Sequence, residues 1–166
     1  MDKVTFYSFV ILAMVLALPV ISHVLRGQPG MLKYTNYIIL GVYLLANLYL
    51  TLLSRPLGSV PENRLTPLWS YIGAVNDPEL REEVILNILL YIPFGYLMHY
   101  AFPRMKRRVI IVCGFLLSAA TECTQLIGRL GVCEVDDVIS NTLGTVIGVL
   151  LYAGYKRLVR EAGGKE

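Results

Sequence analysis

The chain has 166 residues, with 15 Lys+Arg against 12 Asp+Glu and a net charge of +3. Apolar residues make up 55% and charged residues 16%, against about 45–50% and 25% in an ordinary soluble domain. With a mean hydropathy of +0.59, this composition excludes a soluble multidomain enzyme, a disordered chain and a nucleic-acid binder.

Five apolar runs follow in order: Val4–Leu25, Tyr34–Leu53, Val84–Phe102, Val109–Ile127 and Val138–Tyr155. Each is close to the ~20 residues that cross a hydrocarbon core as a helix. None alternates with a period of two, so strands are excluded. The first run lacks a clean small-x-small cleavage site and is longer than a signal h-region, so it reads as a retained helix. The expectation is an all-α polytopic transmembrane bundle of about five spans, forming one membrane domain over residues 1–166. Ten Lys/Arg fall on the side that holds Arg26, Arg104–Arg108 and the C-terminal tail, and five on the other. Positive residues mark the cytoplasm. The N-terminus is therefore expected outside and the C-terminus inside.

The longest connection, Ser54–Glu83, is broken by Pro56, Pro61, Pro67 and Pro78. Its stretch Leu65–Ile72 carries Trp69 and Tyr71. Two readings stand: a re-entrant segment that frames a site, or an aromatic-belt anchor.

An ionised side chain at mid-helix costs about 2.5–3.5 kcal/mol on the insertion scale, so intramembrane charges usually mark function. Glu122 is the clearest case. Ser118, Glu122, Gln125 and Arg129 are spaced i, i+4, i+7, i+11, which stacks them on one helix face. Glu134, Asp136 and Asp137 stand at the mouth of the last run, followed by Asn141 and the pair Gly144/Gly148. That G-x-x-x-G spacing allows close helix packing. Glu83, Asn87, Tyr91 and Phe94 share a face of the third run, ahead of Pro93 and Gly95. Asn47, Thr51 and Arg55 close the second. The topology thus gathers the buried polar groups of four helices in the outer half of the membrane. A binding site and a structural salt-bridge network, Glu122 or Asp137 to Arg55 or Arg129, both account for this.

Three blocks resemble the VanZ-like family. Asn87–Tyr96 is similar to its N-x-x-x-[FY]-[IV]-P-x-G stretch. Glu122-Cys-Thr-Gln125 with Arg129 looks like its E-x-x-Q…R block. Asp136–Gly148 looks like its D-D-x-x-x-N-x-x-G-x-x-x-G block. Ser54-Arg55 and Leu65–Leu68 add to the match, which covers about Leu52 to Tyr155. The resemblance implies a multi-pass protein of the bacterial cytoplasmic membrane, tied to low-level resistance to the lipid-bearing glycopeptide teicoplanin.

The leading expectation is a non-enzymatic cell-envelope protein. It would bind a lipid headgroup, a lipid-linked cell-wall precursor or a lipoglycopeptide in an outward polar cleft. Arg55, Asn87, Glu122, Gln125, Arg129, Asp136, Asp137 and Asn141 are the binding candidates, with the arginines gripping phosphate or carboxylate by forked hydrogen bonds. The alternative is an intramembrane enzyme acting on a lipid-linked substrate. Glu122 or Asp137 would then be the general acid or base, and Glu134, Asp136 and Asp137 weak candidates for Mg²⁺. No other cofactor is expected, and association with a second copy stays open. A transporter fits less well, for want of an inverted repeat. Cys113, Cys123 and Cys133 lack zinc spacing.

Overall fold

A computed structural model describes residues 27–53 and 62–163, together with isolated positions in the first apolar run. Most of Val4–Leu25, and Arg55 with it, lies outside the described residues. The described chain is an all-α membrane protein. Four of its helices are long and apolar enough to cross a membrane.

Helix α1 spans Pro29–Leu48 and continues as a π-helical turn, Tyr49–Leu53. Pro29 suits the first helical position, where no N–H is needed. A short helix α2, Trp69–Gly73, follows strand β1, Glu62–Arg64. Helix α3 runs from Pro78 to Ala101. The Asp77 carboxylate caps it by accepting from the Glu79 and Leu80 N–H groups at 2.9 and 3.4 Å. Helix α4 covers Arg107–Ile127, strand β2 Val132–Glu134, and helix α5 Val135–Gly163.

Helix α3 is the centre of the bundle. Every residue from Tyr91 to Ala101 is buried, as expected of a helix enclosed on all sides. It runs unbroken through Pro93, which has no N–H to give the preceding turn. The Tyr43 hydroxyl from α1 donates to the Leu90 carbonyl, three residues before the proline, at 2.8 Å and ties α1 to that turn. Asn36 does the same at the far end, donating from Nδ2 to the Tyr100 carbonyl at 3.2 Å.

Helices α3 and α5 run parallel and almost touch. A Cβ placed on Gly144 would land on the Ile88 carbonyl, and one on Gly148 on the Ile92 carbonyl and the Tyr96 nitrogen. Gly95 answers from α3, where a Cβ would strike the Thr145 carbonyl. The small-residue seam is a packing device. Helix α4 lies antiparallel to α5, with Gly114 against the Thr145 side chain and Ser118 opposite Asn141.

Two short strands lie outside the apolar runs. They pair in parallel, Glu62 with Val132, Asn63 with Cys133 and Arg64 with Glu134. This short ladder ties the long connection to the α4–α5 turn and marks one end of the bundle. The other end carries the basic residues Lys33, Arg104, Lys106, Arg107, Arg108, Lys156, Arg157 and Arg160.

Candidate functional site

Helix α4 turns Ser118, Glu122 and Gln125 inward together, all nearly inaccessible. The i, i+4, i+7 spacing places them on this shared face. Arg129 does not join them. The helix ends at Ile127, and Arg129 takes the left-handed position of the terminating turn, with φ 52°. The Leu130 N–H reaches back to the Gln125 carbonyl at 2.9 Å and that of Arg129 to Leu126 at 3.3 Å, the pattern of a Schellman turn. Helical spacing loses its meaning past that point. The Arg129 side chain is exposed and forms no ion pair among the described residues.

The other candidates meet around the start of α5. Asn87 donates from Nδ2 to Asp137 Oδ1 at 2.7 Å. Asn141 donates from Nδ2 to the Ser118 hydroxyl at 2.8 Å. Glu122 Oε2 accepts the Glu134 N–H at 2.9 Å, which fixes β2 over the end of α4. Gln125 donates from Nε2 to the Thr51 carbonyl at 3.0 Å, in the π turn of α1.

Asp136 has a different task. Its two oxygens accept the N–H groups of Leu68 and Ser70 at 2.6 and 2.7 Å. A helix start leaves such N–H groups without partners. Asp136 therefore caps α2 from a distant part of the chain, while Leu68 stands in the left-handed region with φ 66°. Glu134 is also engaged. Arg64 donates to its Oε1 at 3.0 Å and the Ser70 hydroxyl to its Oε2 at 3.2 Å. The Arg64 guanidinium lies 4.6 Å from the centre of the Trp69 ring. The Tyr71 and Ser140 hydroxyls share a hydrogen bond of 2.7 Å.

These contacts bear on the Mg²⁺ candidates. Glu134, Asp136 and Asp137 are each turned to a different protein donor, and no group of three His, Cys, Asp or Glu residues converges as a metal cradle among the described residues. The donor set does not fit the ion.

Four buried polar atoms nearby have no hydrogen-bond partner among the described residues: Asn47 Oδ1, Tyr91 Oη, Gln125 Oε1 and Asn141 Oδ1. The Tyr91 hydroxyl lies beside the Ser118 and Thr121 hydroxyls. They come from α1, α3, α4 and α5. Each such atom costs about 1–3 kcal/mol if it stays unmet. Native proteins rarely leave such atoms unmet without water or a ligand in use there.

Cys133 lies on the ladder, half-buried. Burial pushes its thiol above the ordinary range, and the negative charge of Glu122 adds to the effect. Its thiol and those of Cys113 and Cys123 are free.

Sequence reasoning missed Arg64, Ser70 and Ser140. The first two sit in an irregular connection with no periodicity to read. Ser140 follows Asp136 by one helical turn, a signal that could have been used. Tyr71 had only the choice of frame or anchor; its bond to Ser140 ties it to the site.

A sequence model described as VanZ/LLP1 matches residues 40–159. The chain belongs to this family. It is 34% identical to Protein VanZ of Enterococcus faecium over 70 residues, covering 42% of this chain and 44% of that protein. The match thus spans less than half of the relative's length. No solved structure matches the chain.

Proposed function

We propose that this VanZ-family protein binds an amphipathic cell-envelope ligand at the ladder end of the bundle and thereby gives low-level teicoplanin resistance. The ligand is a lipid headgroup, a lipid-linked wall precursor or the lipoglycopeptide itself. The ladder end faces outward from the bacterial cytoplasmic membrane, in keeping with the excess of Lys and Arg at the other end.

One observation carries the reading. Asn47, Tyr91, Gln125 and Asn141 each keep one polar atom without a hydrogen-bond partner among the described residues, inside an apolar bundle. The carboxylates around them are already matched to donors of this chain. A set of unmet donors and acceptors beside an internally satisfied frame suits a site that holds a polar headgroup.

Tyr91→Phe tests this with little risk to the fold, because it keeps the buried ring and removes only a hydroxyl that has no hydrogen-bond partner among the described residues. Wild type, Tyr91→Phe and Glu122→Gln are expressed at matched membrane levels in a sensitive Gram-positive host. Wild type should raise the inhibitory concentration of teicoplanin more than that of vancomycin, and Tyr91→Phe should lose most of that gain. Full protection from both variants overturns the site. No protection from wild type overturns the resistance role.

A further inference from the structure

A second polar feature lies at the opposite, basic end and is independent of the site above. A cavity of about 790 Å³ opens between the start of α1 and the end of α3 with its following turn. Its size falls within the range of small-ligand sites. Lys33 and Arg104 are exposed on it, and neither has an acidic partner among the described residues. Asn36 lines it from within at 5% exposure. Its Nδ2 is held by the Tyr100 carbonyl, so its orientation is fixed, and its Oδ1 accepts from nothing among the described residues. Tyr37 and Phe102 form an apolar wall, with ring centres 5.5 Å apart.

Two cations without anions and one buried acceptor without a donor, among the described residues, define a ligand. It carries a phosphate or similar anion for Lys33 and Arg104, and a hydroxyl hydrogen for Asn36. The apolar wall and the exposed face of Met31, Tyr34 and Ile38 on α1 add a path for hydrocarbon. Basic pockets between membrane helices suit anionic headgroups. An ammonium-bearing headgroup is disfavoured, because among the described residues at this end Glu161 alone stands against eight cations, and it pairs with Arg157.

We propose that this cavity binds the headgroup of an anionic phospholipid whose phosphodiester bears a free hydroxyl, the chemistry of phosphatidylglycerol. The full chain, purified in detergent, is titrated with dioleoyl phosphatidylglycerol and followed by native mass spectrometry and thermal unfolding. A single saturable site with a raised Tm is expected, absent with phosphatidylcholine. Lys33→Gln with Arg104→Gln should weaken it by about thirtyfold. Lys106→Gln with Arg108→Gln, on the same end but not lining the cavity, should cost less than about threefold, since distant charges are screened. Phosphatidylmethanol, the same anion without the hydroxyl, should bind about tenfold more weakly. Equal losses in the two double variants overturn the cavity as the site. Equal binding of phosphatidylmethanol overturns the part given to Asn36. Binding of soluble glycerol phosphate as tight as that of the lipid overturns the lipid as occupant.

Discussion

The Asp136 carboxylate allows a sharp separation of scaffold from site. It accepts two backbone N–H groups, from Leu68 at 2.6 Å and from Ser70 at 2.7 Å. In Asp136→Asn one acceptor oxygen becomes an NH₂ group that faces a donor. One charge-assisted hydrogen bond is lost, worth about 1.5–3 kcal/mol. The negative charge near the N-terminus of α5 goes as well, worth about 0.3–1 kcal/mol. A local loss of ~2 kcal/mol corresponds to ~30-fold in the opening equilibrium of α2. Amide hydrogen exchange reads that equilibrium segment by segment. The amides of Leu68 and Ser70 should lose about that factor of protection, while those in the buried half of α3 keep theirs. Unchanged exchange across Leu68–Gly73, within about threefold, refutes the capping role. If teicoplanin protection were lost in the same variant, Asp136 would belong to the ligand instead.

Other expectations follow from single contacts. Gly148→Ala places a methyl group against α3 backbone, which cannot move aside as a side chain would. It should cost about 1–3 kcal/mol and lower the Tm in detergent, whereas Gly154→Ala, with open space around it, should be neutral or stabilising by up to ~1 kcal/mol. Equal Tm values for the two variants would remove the seam from the account. Arg129→Gly relieves a left-handed φ at an exposed position and should raise stability by about 1 kcal/mol without reducing teicoplanin protection; a loss of protection would return Arg129 to the site. The Cys133 thiol, pushed up by burial and then by Glu122, holds less thiolate at neutral pH than an ordinary cysteine. In a chain with Cys133 alone, maleimide labelling should be slow near pH 7.5 and accelerate as pH rises. Glu122→Gln removes a negative neighbour and should shift the labelling profile to lower pH; a shift to higher pH contradicts the placement of Glu122. For sidedness, a cysteine placed at Arg129 should react with an impermeant maleimide in intact cells, and one placed at Lys106 should react only after lysis.

Hydropathy and helical spacing determine much of this protein by themselves. Long apolar runs leave a chain no choice but helices in lipid, because each backbone polar group must be met within its own segment. The stacking of Ser118, Glu122 and Gln125 was equally legible, since 3.6-residue periodicity fixes a face before any partner is known. The glycine spacing in α5 announced a close helix contact, though not which helix would lie there. Tertiary structure chose α3, because only its backbone comes near enough to demand that no Cβ intervene. Arg129 shows where periodicity stops: a helix end is set by its terminating turn, and the spacing beyond it carries no information. The parallel ladder, the reach of Asp136 to Leu68 and Ser70, and the pairing of Arg64 with Glu134 join positions 66 to 70 residues apart. Contacts of that range leave no local pattern in the chain, so only the assembled bundle decides them.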